Sequence, residues 1–239
     1  MSGYLMCDKT AWSERLQPLI GSNGLQRLHD ATVVVFGCGG VGSYAVEALA
    51  RSGIGHLIIV DGDVVAPSNL NRQIMALQST LTQSKSDVMA ARCREIRPGI
   101  KVDSVPTYYD ATTRARFFTG QPVDYVFDAI DSLTWKVDIL KNCLDRKIPV
   151  LTATGMGNRF SPEALTITTL DKTHDDPLAR NLRQALSKDG IRLADILCVF
   201  SKERPHKQPG VRIPASTVFV PATAGLLAAS HIVKTILED

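Results

Sequence analysis

The 239-residue chain predicts an α/β fold: a Rossmann-like, doubly wound, mainly parallel sheet with a C-terminal extension. Three observations predict it. Short apolar, β-branched runs alternate with stretches of helical periodicity, the pattern of a parallel sheet with crossover helices. The stretch "VVVFGCGGVGSYAVEALARSGIGHLIIVD" (33–61) reads as strand, glycine turn, helix, strand, acidic residue. Hydrophobic residues make up 44% and charged residues 21%, which suits a soluble chain with a packed core.

Thr32 to Gly37 is the first strand, apolar enough for the centre of a parallel sheet. Val41 to Ser52 follows as a helix, with Val41, Ala45 and Leu49 on one face, and His56 to Asp61 is the second strand. Ser84 to Arg97 is helical and stops before Pro98; Ile100 to Val105 is the third strand. Asp110 caps a short helix ending at Phe118. Val123 to Ile130 is the fourth strand, Asp131 or Ser132 caps a helix to about Arg146, and Ile148 to Ala153 is the fifth strand. Beyond Gly155, Glu163 to Leu170, Ile196 to Phe200 and Thr217 to Val220 read as strands. Pro177 opens a helix to Lys188. The charged, Pro-rich loop SKERPHKQPGVRIP lies between the last two strands.

The net charge of +3 is mild and favours acidic partners only weakly, so any case must rest on where the charges lie. The cysteines Cys7, Cys38, Cys93, Cys143 and Cys198 are odd in number, scattered, and form no C-x-x-C pair. Neither a zinc ribbon nor a disulfide framework is implied, and a reducing cytosol is the expected setting. The N-terminus lacks an apolar secretion core. The longest apolar stretch, Ala222 to Leu237, is interrupted by Ser230, His231 and Lys234. It is expected to be a buried or interface helix rather than a membrane span.

Gly37 and Gly39 permit a tight turn and close approach to a phosphate. The amides of Gly40 to Ser43 open a helix whose positive end favours an anion. Asp61, at the end of the second strand, can accept from ribose hydroxyls. These features fit NAD and ATP alike. The loop from Asp61 to Gln73 brings Asn69, Asn71 and Arg72 to the carboxyl ends of the strands, and Lys85 follows. That much cationic and polar character suits a reacting triphosphate, whose phosphoryl oxygens gain charge in the transition state. The fourth strand ends in Asp128-Ala-Ile-Asp131, where a carboxylate can hold Mg²⁺ against phosphates. Asp128 itself reads as a structural strand-end carboxylate.

"GCGGVGS", "DGDVVAPSNLNRQ", "SKSDVMAARCREIRP" and "DAIDS", over roughly Leu16 to Thr154, resemble the ubiquitin-activating-enzyme superfamily, whose small members adenylate carboxylates. "EALARSGIGHLIIVD", "NRQIMAL", "KIPVLTATGMGNRFSPEALTITTLDKTHDDPLARNLRQAL" and "CVFSKE" resemble one branch of it, the tRNA threonylcarbamoyladenosine dehydratases. The resemblance implies one ATP-binding domain over residues 1–239, with a core of about 24–154 and a substrate-binding extension of about 155–239. It implies that Gly37, Gly39, Gly40 and Gly42 wrap the phosphates, that Asp61 holds the ribose, and that Asn69, Asn71, Arg72 and Lys85 face the triphosphate. Asp131 would position Mg²⁺ with Ser132 beside it, and Arg15 would reach across a homodimer interface. The implied partners are tRNA carrying threonylcarbamoyladenosine and sulphur-transfer proteins.

Three other readings compete. Adenylyltransferases for ubiquitin-like sulphur carriers usually carry two C-x-x-C pairs, absent here. An NAD-dependent dehydrogenase would leave "SNLNRQ" and Lys85 unexplained. A non-enzymatic nucleotide-binding scaffold would not require so full a polar set. Cys198, inside an apolar run, reads as a small buried hydrophobe rather than a nucleophile. Arg180, Arg183, Lys188, Arg192, Lys202, Arg204, Lys207 and Arg212 concentrate positive charge in the C-terminal third. They fit a solvated face or contacts to RNA phosphates equally well.

Overall fold

The computed structural model describes residues 11–120, 122–206, 210 and 213–238; Cys7, Lys207 and Arg212 lie outside them. One sheet runs in the order β3-β2-β1-β4-β5-β7-β6. Its strands are β1 (Thr32–Phe36), β2 (His56–Val60), β3 (Lys101–Val105), β4 (Tyr125–Asp128), β5 (Val150–Ala153), β6 (Leu165–Thr169) and β7 (Leu197–Ser201). All neighbours pair in parallel except β6 with β7. The chain winds outward from β1 to β3, then returns to β4 on the other side of β1. That reversal opens a crevice at the carboxyl ends of β1 and β4.

All residues of β1, β2 and β4 are buried because both faces of the sheet are covered. Side-chain alternation sorts them. Val33, Val35, Leu57 and Ile59 pack beneath α2 (Gly42–Ser52), α3 (Lys85–Ile96) and α7 (Phe219–Glu238). Val34, Phe36, Ile58 and Val60 face α4 (Arg114–Phe118) and α5 (Leu133–Asp145). Beyond them, α6 (Pro177–Lys188) closes Leu182 and Leu186 over Cys198 and Phe200 of β7. A further helix, α1 (Gln17–Asp30), packs on α7.

Two local expectations are revised. Thr217 to Val220 is not a strand but the approach to and first turn of α7. Val220, Ala224, Ala228 and Ile232 continue a helical stripe onto the core, and that packing overrides the β-preference of the Val-Phe-Val run. Gly225 lets α2 come close, since a Cβ there would lie 2.3 Å from the Val41 carbonyl oxygen. The helix therefore begins three residues before the expected Ala222, and at 20 residues it is long and apolar enough to span a bilayer. Half of its apolar window is nevertheless buried against the protein. Secondly, Asp110 does not cap α4 directly. Its carboxylate accepts from the Thr112 and Thr113 amides in a turn, and the helix starts at Arg114.

Candidate active site

A cleft of about 680 Å³ opens over the carboxyl ends of the central strands. Gly37 turns out of β1 with φ +86°, where a Cβ would lie 2.8 Å from the Ala129 carbonyl oxygen. Gly39 faces open space, its nearest neighbour being Gln73 Nε2 at 3.9 Å from the position of a Cβ, so the backbone is bare toward the cleft. Gly40 also lines it. Gly42 does not; it seats the start of α2 on the turn, and a Cβ there would lie 1.9 Å from the Gly37 carbonyl oxygen.

Asp61, at the end of β2, accepts from the Cys38 amide at 2.6 Å and the Asp63 amide at 2.8 Å. Burial pushes its carboxyl up from the usual aspartate range, against those two amides and the positive charge of Lys85. Lys85 lines the cleft but is only 5% exposed. It opens α3, and its Nζ donates to Asp63 Oδ2 at 2.8 Å. Tyr108 donates to the other Asp63 oxygen at 2.6 Å. Burial alone would raise the Asp63 carboxyl, but these two hydrogen bonds bring it below the ordinary value.

Arg72 lines the cleft and donates to the Ser68 carbonyl (2.7 Å) and to Asn71 Oδ1 (3.0 Å). Asn71 stands outside the lining and donates to the Ser216 carbonyl at 2.9 Å, so it orients Arg72 and ties the rim to the loop before α7. Asn69 lines the cleft, largely buried, and its Oδ1 accepts from the Ala66 amide at 3.0 Å. Arg15 is exposed, lies just before α1 and does not line this cleft.

The tip of β4 separates two carboxylates three residues apart. Asp128 is fully buried and accepts from Lys136 Nζ at 2.7 Å and Thr152 Oγ1 at 2.6 Å. Asp131 is exposed in the cleft, with no hydrogen-bond partner among the described residues, and Ser132 lies beside it at the N-cap position of α5. No group of three or more His, Cys, Asp or Glu among the described residues is arranged to hold a metal. Asp131, an exposed carboxylate that shares the cleft with Asp61 and Asp63, fits Mg²⁺, which keeps waters and shares phosphate oxygens with its ligand.

Gln73, Tyr108, Asp63 and Lys136 carry roles that the sequence reading did not assign. Gln73 is buried at the cleft and its Oε1 has no partner among the described residues. Its signal was its place at the end of "SNLNRQ". Lys136 had none, because a lysine in an amphipathic helix reads as a surface residue. Cys198 is buried, its Sγ donates to the Thr168 carbonyl at 3.4 Å, and burial pushes its thiol up to about 12. Cys38, Cys93 and Cys143 are likewise free and buried.

The ThiF family pattern matches residues 13–239. The tRNA threonylcarbamoyladenosine dehydratase of Bacillus subtilis (strain 168) is 40% identical over 236 residues, covering 92% of this chain and 92% of that protein. The protein of the same name from Escherichia coli (strain K12) is 35% identical over 255 residues, covering 95% of each. The crystal structure of the E. coli tRNA N6-threonylcarbamoyladenosine dehydratase in complex with ATP is similar at a TM-score of 0.89 and 38% identity, covering 95% of this chain and 96% of that one.

Proposed function

Because the chain belongs to the ThiF family, on the branch of the tRNA threonylcarbamoyladenosine dehydratases, we propose that it uses ATP to convert threonylcarbamoyladenosine in tRNA to its cyclic hydantoin form, with net loss of water. The observation that carries this reading is one cleft holding a bare glycine turn, a half-buried ribose-type carboxylate and two cations, in a chain that resembles an ATP-bound relative.

A carboxylate is a poor acyl donor because oxide is its leaving group. Attack of the substrate carboxylate oxygen on the ATP α-phosphorus forms the acyl-adenylate and breaks the bond to pyrophosphate. The carbamoyl nitrogen then attacks the activated carbonyl, loses its proton and expels AMP, which carries away the oxygen lost in the dehydration. The second step is intramolecular, and well-positioned intramolecular reactions reach effective molarities of ~10⁵ M or more. No nucleophilic cysteine is needed, which suits the state of Cys198.

Each residue has a defined task in this scheme. The Gly37–Gly40 turn and the N-terminus of α2 receive the phosphates, and Asp61 accepts from the ribose. Arg72 and Lys85 stabilise negative charge on the phosphoryl oxygens, aimed by Asn71 and Asp63 respectively. Asp131 would hold Mg²⁺, which neutralises phosphate charge when bound. Residues of about 24–154 would bind nucleotide and those of about 155–239 the substrate, in a cytoplasmic homodimer in which Arg15 acts on the partner's cleft.

Mass spectrometry of tRNA nucleosides after incubation with ATP tests the reading. The expected product is threonylcarbamoyladenosine lighter by one water. Adenylation that instead requires a protein ending in Gly-Gly would replace this reading with that of a sulphur-carrier adenylyltransferase.

A further inference from the structure

The C-terminal third carries a second open groove, of about 590 Å³, lined by Arg180, Arg183 and Arg204 with Asp175, Asp176 and Pro177. Its charges are unequal once their partners are counted. Asp176 is buried and closed off, accepting from the Gly155 and Ala179 amides at 2.9 and 3.0 Å and from Arg159 at 3.4 Å. Asp175 is the remaining anion of the lining, and it meets Arg204 at 3.2 Å while 86% of the Arg204 side chain stays exposed. Arg183 is steadied by the Thr173 carbonyl and hydroxyl. Arg180 is exposed and has no side-chain partner among the described residues.

These cations form a track. Arg180, Arg183, Gln184, Ser187 and Lys188 share the solvent face of α6 at helical spacing, opposite the buried Leu182 and Leu186. A second shallow groove, lined by Gln184, Ser187 and Lys188, continues from Arg183. The groove is tied to the active-site cleft through the backbone of residues 155–158. Gly157 lines that cleft, while Gly155 binds the cap of α6 and the Asn158 carbonyl accepts from the His206 amide at 2.7 Å. Arg159, buried, joins both sides by donating to Asp176 and to the Glu203 carbonyl. Two residues of backbone, at most about 7 Å, separate Gly155, which holds the Asp176 cap, from Gly157 of the cleft wall.

We infer that Arg180, Arg183 and Arg204 form a docking surface for the tRNA phosphate backbone flanking the nucleotide whose modification enters the cleft. This rests on the proposed function. A nucleotide seated in the cleft carries phosphates on either side of its ribose. Its strand must leave across adjoining protein, and an arginine fork pairs with two phosphate oxygens at once. Recognition of an unstacked nucleotide in a loop also needs little base reading outside the cleft.

The test is the Arg180→Ala/Arg204→Ala double variant, with tRNA binding followed by fluorescence anisotropy across a salt series. Each lost phosphate contact lowers the log-log salt slope by about 0.7–0.9, so the slope should fall by about 1.4–1.8 and affinity by about tenfold or more at 0.1 M salt. ATP affinity should be unchanged. The Arg180→Lys/Arg204→Lys variant should recover most of the slope, since lysine keeps the point charge. Wild-type affinity and slope in the alanine variant would overturn the inference, as would a lysine variant whose salt slope falls as far as that of the alanine one. Because binding is measured without turnover, failure of the proposed reaction appears separately, as wild-type protein that binds tRNA but yields no dehydrated nucleoside.

Discussion

The active-site cleft and the strand ends beside it use the same residue types in opposite ways. In the cleft, Asp131 and the side-chain Oε1 of Gln73 lack hydrogen-bond partners among the described residues, and Lys85 has one. Beside it, Asp128 is enclosed by Lys136 and Thr152, and Asp176 by Arg159 and two amides. A buried polar group normally finds its partners within the fold. Groups left short of partners on a cleft wall are poised for a ligand, whereas groups fully engaged hold the wall in place. The contrast is sharpest between Asp128 and Asp131, neighbours in sequence with separate work.

That division makes its largest prediction at Lys136. Lys136→Met strands the buried Asp128 charge and should destabilise the protein by about 3–5 kcal/mol. For a chain of this size the melting temperature should fall by roughly 6–20 °C. Replacing both partners, Lys136→Met with Asp128→Leu, should restore much of that loss. A Lys136→Met protein that melts with the wild type would mean the pair is not the support described here.

On the cleft side the sign reverses, toward rate rather than stability. Arg72→Ala and Lys85→Ala should each slow adenylate formation by ~100-fold or more, the usual effect of removing one preorganised charge from a reacting centre. Pyrophosphate release on mixing ATP with modified tRNA measures the step. Lys85→Ala should also cost some stability, because Lys85 is buried against Asp63. Melts without nucleotide separate the two effects. A variant with wild-type pyrophosphate release leaves the catalytic set.

The fold was legible because the β-α alternation and the glycine turn are local signals. The Thr217 to Val220 error came from a local β-preference that only the docking of α7 on α2 could overrule. The cleft residues were legible as types, since Asp61, Arg72 and Lys85 fall in a recognisable order. Their partners were not, because the Asp63 to Lys85 contact spans 22 residues and Lys136 looks like any helix-surface lysine until α5 is docked. Asn71 shows the limit most plainly: it stands off the cleft lining, and its side-chain nitrogen donates to the Ser216 carbonyl, a use that no motif announces.

Asp61 sits between the two regimes, engaged by two amides yet open to the cleft. Asp61→Ala should weaken ATP binding by about 1–3 kcal/mol through lost charge-assisted hydrogen bonds, read by calorimetry. Ionised Asp61 is the form that accepts from a ribose, and its carboxyl is raised by burial. Wild-type ATP affinity should therefore decline on acidification, beginning at a higher pH than an ordinary aspartate would give, and Asp61→Asn should lose that limb. The same shift also fixes a sign for stability. A carboxyl raised in the folded state binds protons there first, so its contribution favours the fold at low pH and is lost as pH rises through the folded value. ATP affinity unaltered in Asp61→Ala would remove the ribose role.

The smallest effect is expected at Cys198, where the enclosed region could still hide a nucleophile. With its thiol pushed up to about 12 by burial, Cys198 stays protonated at neutral pH, and the thiolate is the reactive form. The side chain is fully buried among Leu182, Leu186 and Phe200 on the α6 side of β7, whereas the cleft opens at the strand ends. Cys198→Ala should therefore leave the rates of pyrophosphate release and of hydantoin formation at wild type, at a stability cost of about 1 kcal/mol for the small cavity, the ordinary scale for a point substitution. The two rates should be read separately, since a covalent thioester would spare adenylation and abolish cyclisation. That split, with the melting temperature little changed, would return Cys198 to the reaction and break the separation between the cleft and the packed region beside it.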